Sequence, residues 1–375
     1  MLLNHFIALN FKSIPLITYQ IDTTMASQRK LGMLLFFVRD KNKKSIFRII
    51  KEIISLWRFK KEIPLYYISN LLYRKGIDNY KDFLSFKENK KILNWSYAKG
   101  GHQKEMVQNK LLFEQHLVKH NVTTPKIIFH NTNEKFTYGS EVLSIKTEAD
   151  FRAFLHRVFK EQPIEKIFCK PVDAGLGRNT SIITKDTVDD LTSDTIAMML
   201  TSSFIFQEVI AQHDVLNTIN ASSVNTLRIM SYKNASNEVA IISGFIRVGR
   251  KGAIVDNAHA GGIVIPINSE IGAFNPKGFQ LIDNGGGIFT THPDSGIVFG
   301  EVSIPEYDKV KALVKEGSTI FDYPLLGWDV AITPTGPVLV EANHNFHLLL
   351  SDRSDRGLIN KPAFKSLYDE VMSAN

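Results

Sequence analysis

One stretch, Gly327 to Asn343, limits the fold more than any other: GWDVAITPTGPVLVEAN. Two apolar, alternating runs flank the turn residues Pro334-Thr335-Gly336, which predicts an antiparallel hairpin. With that three-residue loop, Thr333 faces Pro337, and counting outward sets Asp329 opposite Glu341. Side chains alternate along a strand, so Asn343 joins Asp329 and Glu341 on one face. Two carboxylates and an amide suit a hard cation such as Mg²⁺, which keeps its other positions for water and phosphate oxygens. Without a cation, like charges paired across two strands destabilise each other. A solvent-facing hairpin with chance acidic residues is the bland alternative. It fits poorly with Trp328, Val338, Leu339 and Val340, which read as buried.

Three upstream segments carry weaker signals. In IFCKPVDAGLGRN, an apolar strand delivers Lys170 and ends at Pro171. Gly175 and Gly177 then permit a loop whose backbone amides can cap phosphates. The segment matches neither a Walker loop nor a dinucleotide fingerprint, and alone it reads equally well as a surface lysine before a turn. In FIFQEVIAQHD, backbone groups near Glu208 to Ile210 could meet an adenine edge, although an ordinary strand and turn is a strong alternative. In SVNTLRIM and GFIRVGR, Arg228 sits mid-strand among apolar residues and Arg247 ends the returning strand. A buried arginine needs an anionic partner: a phosphoryl group, or a structural bridge to Asp256 or Glu341. His344 and His347 lack a third zinc ligand, and His259 reads as a substrate contact or a capped structural residue. No Ser-His-Asp arrangement or nucleophile elbow is present.

The first third reads as helical, over 44–61, 64–75, 79–86 and 104–120, with a further helix at 147–160. Strands follow at 126–129, 166–171, 180–184, 204–210, 225–232, 238–248, 262–267, 327–333 and 337–343, giving an α+β chain with a largely antiparallel C-terminal sheet. Residues 1–100 hold 19 Lys/Arg against 7 Asp/Glu, or +12, so the remaining 275 carry −5. Within the basic part, Ile46, Phe47, Ile49, Ile50, Ile53, Ile54 and Trp57 recur at helical spacing opposite Arg48, Lys51, Glu52, Ser55 and Arg58. A core-packing helix with a solvated basic face is the preferred reading, ahead of a helix lying on an anionic membrane. No nucleic-acid module accompanies the charge. The single Cys169 excludes an intrachain disulfide. The longest apolar run, Leu31 to Val38, is far short of the ~20 residues of a membrane span. The first two dozen residues read as a loose extension without signal-peptide features, with Met25 and Met33 as alternative starts.

Taken in order, these segments resemble the ATP-grasp superfamily, and specifically the sugar-transfer associated ATP-grasp family, through SVNTLRI, VDN…GG and GWDVAITPTGPVLVEANHNF. The hairpin is also similar to that of the ribosomal-protein glutamate ligases, and the general plan to the D-alanine–D-alanine ligases. The resemblance covers roughly residues 90–350. It implies two α/β subdomains clasping ATP over 91–350, after a basic helical region at 1–90 and before a C-terminal helix at 351–375. It implies that Lys110, in QNKLLFEQHLVKHNVTTP, and Lys170 reach the nucleotide phosphates, with Gly175 and Gly177 in the loop over them. Gln207, Glu208 and Ile210 match the adenine strand, and Asp214 the ribose contact. Asp329, Glu341 and Asn343 match the metal ligands, with Glu341 bridging two Mg²⁺ ions or their Mn²⁺ replacements. Arg228, Arg247 and Asn257 match contacts to phosphate and acyl phosphate. One departure is Arg178, where many relatives carry another glycine.

The implied reaction is attack of a carboxylate on the γ-phosphate of ATP, giving an acyl phosphate that an amine then captures. A carboxylate-bearing small molecule or glycan and an amine acceptor are the expected partners, in surface polysaccharide biosynthesis. The expected setting is the cytoplasm, at the inner face of the membrane. A kinase on the same fold and a non-catalytic nucleotide-binding partner of a glycosyltransferase are the alternatives; a stable phosphorylated product would mark the kinase.

Overall fold

The computed structural model describes residues 32–173, 179–253 and 255–374. Gly175, Gly177, Arg178 and the first two dozen residues lie outside them. The chain divides into residues 1–41, in which 32–39 form a helix, and residues 42–375, which hold everything below.

Helix α1 (Ile46–Lys60) starts at Ser45, whose hydroxyl accepts from the Arg48 amide. Its buried edge carries Ile49, Leu56 and, unexpectedly, Glu52. The Glu52 carboxylate takes Lys44 at 2.7 Å, Arg48 at 2.8 Å and the Tyr67 hydroxyl at 2.6 Å. Only part of the apolar stripe packs inward: Phe47 is 83% and Trp57 55% exposed, and Ile46, Ile50 and Ile54 are exposed with them. The expected solvated basic face is there, with Arg48, Lys51 and Arg58 exposed, but the expected core-packing face is corrected to Ile49, Ile53 and Leu56. Helix α2 (Phe86–Gly100) was not anticipated, yet Ser85 and Glu88 form a capping box at its start. Asn109 caps α3 (Lys110–Lys119).

The first sheet contains β1 (Ile127–Thr132), β2 (Lys135–Tyr138), β3 (Glu141–Ser144), β4 (Lys166–Pro171), β5 (Ser181–Thr184) and β6 (Ser203–Glu208). Their order is β3-β2-β1-β6-β4-β5, antiparallel throughout. Helices α4 (Glu148–Glu161) and α5 (Ser193–Thr201) cover one face, over Phe129, Phe136, Phe206, Ile167 and Cys169. Alternation sends Lys170 and Gln207 to the other face.

The second sheet contains β7 (Leu227–Lys233), β8 (Val239–Val248), β9 (Ile263–Pro266), β10 (Gly278–Phe279), β11 (Ile288–Phe289), β12 (Leu325–Thr333) and β13 (Gly336–Asn343). Its order is β11-β10-β9-β8-β7-β12-β13, again antiparallel. Helix α6 (Tyr307–Thr319) covers one face over Trp328, Val330 and Leu339. The approach is close: a Cβ on Gly317 would stand 2.8 Å from Leu339 Cδ1. On the opposite face, α2 packs with α7 (Leu348–Ser354) and α8 (Pro362–Ser373) over Met230, Tyr232 and Leu325. Residues 351–375 are therefore not one helix. Arg356 (φ 57°) and Gly357 (φ 104°) break the chain between α7 and α8.

The β12–β13 turn differs from expectation in a way that cancels. Thr333 pairs with Gly336, not Pro337, so the loop is one residue shorter. A bulge at Val340 then restores the pairing of Asp329 with Glu341 and Gly327 with Asn343. Two backbone bonds tie this hairpin to preceding segments, from Leu339 N to Thr123 O at 2.9 Å and from His213 N to Ile332 O at 2.8 Å.

Candidate functional site

Cross-strand pairing builds one half of the site. Asp329 lies between Arg228 on β7 and Glu341 on β13. The Arg228 guanidinium donates to both Asp329 oxygens, at 2.5 and 3.1 Å, and Arg247 pairs with Oδ2 at 3.1 Å. Burial pushes the Asp329 carboxyl up, but the two arginines outweigh it and hold it below the usual range. Arg247 also lies 3.6 Å from Asp256 and donates to the Thr226 hydroxyl. Burial opposes the Arg247 charge, yet Asp256, Asp329 and Glu341 raise its pKa overall. Burial raises the Asp256 carboxyl, which accepts from Thr226 N at 2.7 Å and its hydroxyl at 2.5 Å.

The other half forms around a residue that sequence reasoning missed. Glu114, fully buried on α3, accepts from Lys170 Nζ at 2.6 Å and from Gln207 Nε2 at 2.6 Å. Burial pushes its carboxyl up, and Lys170 pulls it back. The available signal was its spacing: Glu114 stands one helical turn beyond Lys110, on the same face. Lys110 opens α3, with its amide bonded to Val172 O at 3.3 Å. Burial lowers the Lys110 pKa and Lys170 adds to that, while Glu341 opposes both. Lys110 thus stands in the field of both Lys170 and Glu341, and so joins the two halves.

The remaining expected residues spread around this centre. Glu208 is exposed and accepts from Lys126 N at 3.0 Å. Ile210 is half-buried just past the end of β6. Asp214 is exposed and begins a short helix next to His213, which is bonded to β12. Asn257 Oδ1 accepts from His259 N at 3.0 Å, which leaves its amide nitrogen without a partner among the described residues. Gly175 and Gly177 fall outside those residues.

The hairpin donors fit a hard cation. The Glu341 side chain makes no hydrogen bond or salt bridge to any described residue, and the Asn343 amide oxygen, the atom that would ligate, accepts none from them. Three donors on the two Asp329 oxygens leave lone-pair capacity on that carboxylate. No group of three or more His, Cys, Asp or Glu among the described residues forms a metal cluster of the usual kind. The set is instead two carboxylates and an amide, as Mg²⁺ tolerates.

Two antiparallel sheets, one carrying Lys170 and the other an Asp and Glu-x-Asn hairpin, with Lys110 on a helix before them, are the plan of the ATP-grasp class. Residues 96–362 match the sugar-transfer associated ATP-grasp family, and the chain belongs to that family. No curated protein sequence matches it. Among solved structures it is similar to the ATP-grasp ligase PsnB complexed with minimal precursor, Mg and ADP, at 12% identity and a TM-score of 0.38, over 72% of this chain and 60% of that one. It is also similar to carboxyaminoimidazole ribonucleotide synthase from Aspergillus clavatus complexed with ATP, at 14% identity and a TM-score of 0.40, over 71% of this chain and 52% of that one. The chain thus spans a little over half the length of these structures. Among the described residues, no helix is long and apolar enough to cross a membrane.

Proposed function

We propose that this chain is an ATP- and Mg²⁺-dependent ligase that joins a carboxylate to an amine through an acyl phosphate, in surface polysaccharide biosynthesis or modification. The observation that carries this reading is that α3, which opens with Lys110 and sets Glu114 on Lys170, packs against β13, which holds Glu341. A nucleotide polyphosphate between the lysines and the hairpin would meet positive charge on one side and the metal donors on the other.

In this reading Asp329, Glu341 and Asn343 would hold one or two Mg²⁺ ions, with Mn²⁺ able to substitute. When bound, the metal would supply charge to neutralise phosphate oxygens and favour in-line transfer. Lys110 and Lys170 hold phosphate oxygens as fixed charges, with Gly175 and Gly177 in the loop over them. Gln207, Glu208 and Ile210 line the adenine, and Asp214 meets the ribose. Arg228 and Arg247 take the charge that develops on the transferred group and on the acyl oxygen. The free Asn257 amide nitrogen adds a donor to that oxygen. No side-chain nucleophile is needed, because the phosphoryl group activates the carboxylate and the protein supplies position and field.

The acceptor is an amine, and the donor is a carboxylate-bearing small molecule or glycan, such as a sugar acid. Peripheral contact with an anionic membrane at the cytoplasmic face is part of the same reading. Phe47, Ile50, Ile54 and Phe59 on α1 share one surface with Lys51, Arg58 and Lys81.

ADP formation against paired uronic acids and amines tests the proposal. A ligase releases phosphate only with both substrates present, and Glu341→Gln lowers turnover by about a hundredfold or more. A stable phosphorylated product without an amine would show a kinase instead, and full turnover in Glu341→Gln would remove the metal assignment.

A further inference from the structure

The outer face of α1 carries two lines of side chains next to each other. With about 3.6 residues per helical turn, Phe47, Ile50 and Ile54 fall on one line and Lys51, Ser55 and Arg58 on the next. The buried edge, with Ile49, Glu52 and Leu56, points the other way. All six outer residues line a groove of about 660 Å³, which Phe59 and Lys81 complete.

Lys81 comes from the turn Tyr80–Asp82, and its ammonium stands 5.4 Å from the centre of the Phe59 ring. Phe59 follows Arg58 directly, so Lys81 meets the groove at its Arg58 end. From Phe47 to Arg58 the groove follows the helix for about 16 Å, at about 1.5 Å per residue.

Single exposed apolar residues are ordinary, but Phe47, Ile50, Ile54 and Phe59 are exposed together in one concavity. Covering them would release the water that they order. The charges indicate what covers them. No carboxylate lines the groove. The acids near α1 are held by other groups: Glu52 by Lys44 and Arg48, Asp78 by Arg48, and Glu88 by Lys60. Lys51, Arg58 and Lys81 form no ion pair with a described residue. A second copy of the chain would set these three cations against their own counterparts, and like charges across an interface are costly. A ligand that is apolar along one line and anionic along the other matches both, and the Ser55 hydroxyl adds a donor to the polar line.

We propose that this groove seats one anionic lipid, with its phosphate on Lys51, Ser55, Arg58 and Lys81 and its hydrocarbon chain along Phe47, Ile50 and Ile54. This deepens the membrane contact described above and rests on it for the source of the lipid; the seat itself does not depend on it. Contact with a charged surface needs only the sum of the basic residues. A seat in addition orders a head group and a chain relative to each other, which the two adjacent lines of α1 do. The Arg58 guanidinium supplies two donors in a plane, as a phosphate accepts.

Calorimetric titration of the full chain with dodecyl phosphate, kept below its micelle concentration, tests the seat. Saturable binding of one molecule per chain is expected. Inorganic phosphate and dodecyl maltoside, which each lack one of the two parts, should bind at least about tenfold more weakly. Arg58→Gln should weaken dodecyl phosphate about fivefold, and Ile54→Ser several-fold. If Arg58→Gln loses its cooperative melting transition, Lys81→Gln carries the test with the same loss expected. No binding of dodecyl phosphate, equal binding of either control, variants equal to the wild type, or self-association through this face that excludes the probe would each overturn the seat. The membrane reading fails separately. Phosphatidylglycerol vesicles that leave the wild type in the supernatant, while dodecyl phosphate still binds, remove the membrane contact and keep the seat. Vesicles that sediment wild type, Arg58→Gln and Ile54→Ser alike, with dodecyl phosphate unbound, keep the contact and remove the seat.

Discussion

Replacing Glu114 with alanine probes the arrangement of the lysine half of the site. Glu114 is fully buried, and Lys170 is 5% exposed. Their 2.6 Å contact is charge-assisted, and the same carboxylate accepts from Gln207 at 2.6 Å. Glu114→Ala removes both bonds and leaves the Lys170 ammonium in a place where water cannot replace the lost partner. Breaking a buried pair from one side costs about 3–5 kcal/mol, because an uncompensated charge remains. Replacing both partners with apolar residues avoids that penalty. Glu114→Ala combined with Lys170→Met should therefore be at least ~1 kcal/mol more stable than Glu114→Ala alone. Urea unfolding of wild type, both single variants and the double variant closes the cycle. A Glu114→Ala loss below about 1 kcal/mol, or a double variant as unstable as the sum of the singles, would refute the claim that Glu114 neutralises Lys170.

Three further outcomes follow from the packing and the buried charges. Gly317→Ala should cost about 1–3 kcal/mol by denaturant unfolding, because its Cβ would press on Leu339 and Trp328; an unchanged midpoint would show that α6 shifts freely. Asp352 is fully buried, and burial raises it to about 7 from an ordinary 3.8. The native state then holds a proton that the unfolded chain has released, so this contribution is full below pH ~4 and lost as pH rises to about 7. The stability difference between wild type and Asp352→Asn should shrink over that window by at most about 4 kcal/mol, and a constant difference would contradict the shift. Trp57→Glu should reduce co-sedimentation with vesicles containing anionic phospholipid, and unaltered co-sedimentation would remove α1 from membrane contact.

The sequence made the β12–β13 hairpin legible because its alternation and turn residues are local. The Asp329–Glu341 pairing was reached through two offsetting errors, a loop one residue too long and an unseen bulge at Val340. Bulges leave no dependable sequence mark, since they answer to twist and to neighbouring strands. Arg228 and Arg247 were recognised as needing anionic partners, and the structure supplies Asp329 and Asp256 for them. Glu114 escaped notice because its partners, Lys170 and Gln207, are 56 and 93 residues away in the chain. The β2–β3 hairpin, α2 and α6 were not anticipated, although the capping box of α2 is written in Ser85 and Glu88. Which part of the apolar stripe of α1 packs inward could not be read from periodicity, because the buried edge also holds Glu52, whose partners Lys44 and Tyr67 lie outside the helix.

Nucleotide binding measured with and without Mg²⁺ bears most directly on the central claim. Titrating a non-hydrolysable ATP analogue into wild type and Glu341→Ala, each in Mg²⁺ and in EDTA, isolates the hairpin donors. Tight binding by the wild type only in Mg²⁺, with that dependence lost in Glu341→Ala, is the predicted result. Binding that is indifferent to Mg²⁺, or Mg²⁺ dependence retained in Glu341→Ala, would contradict it.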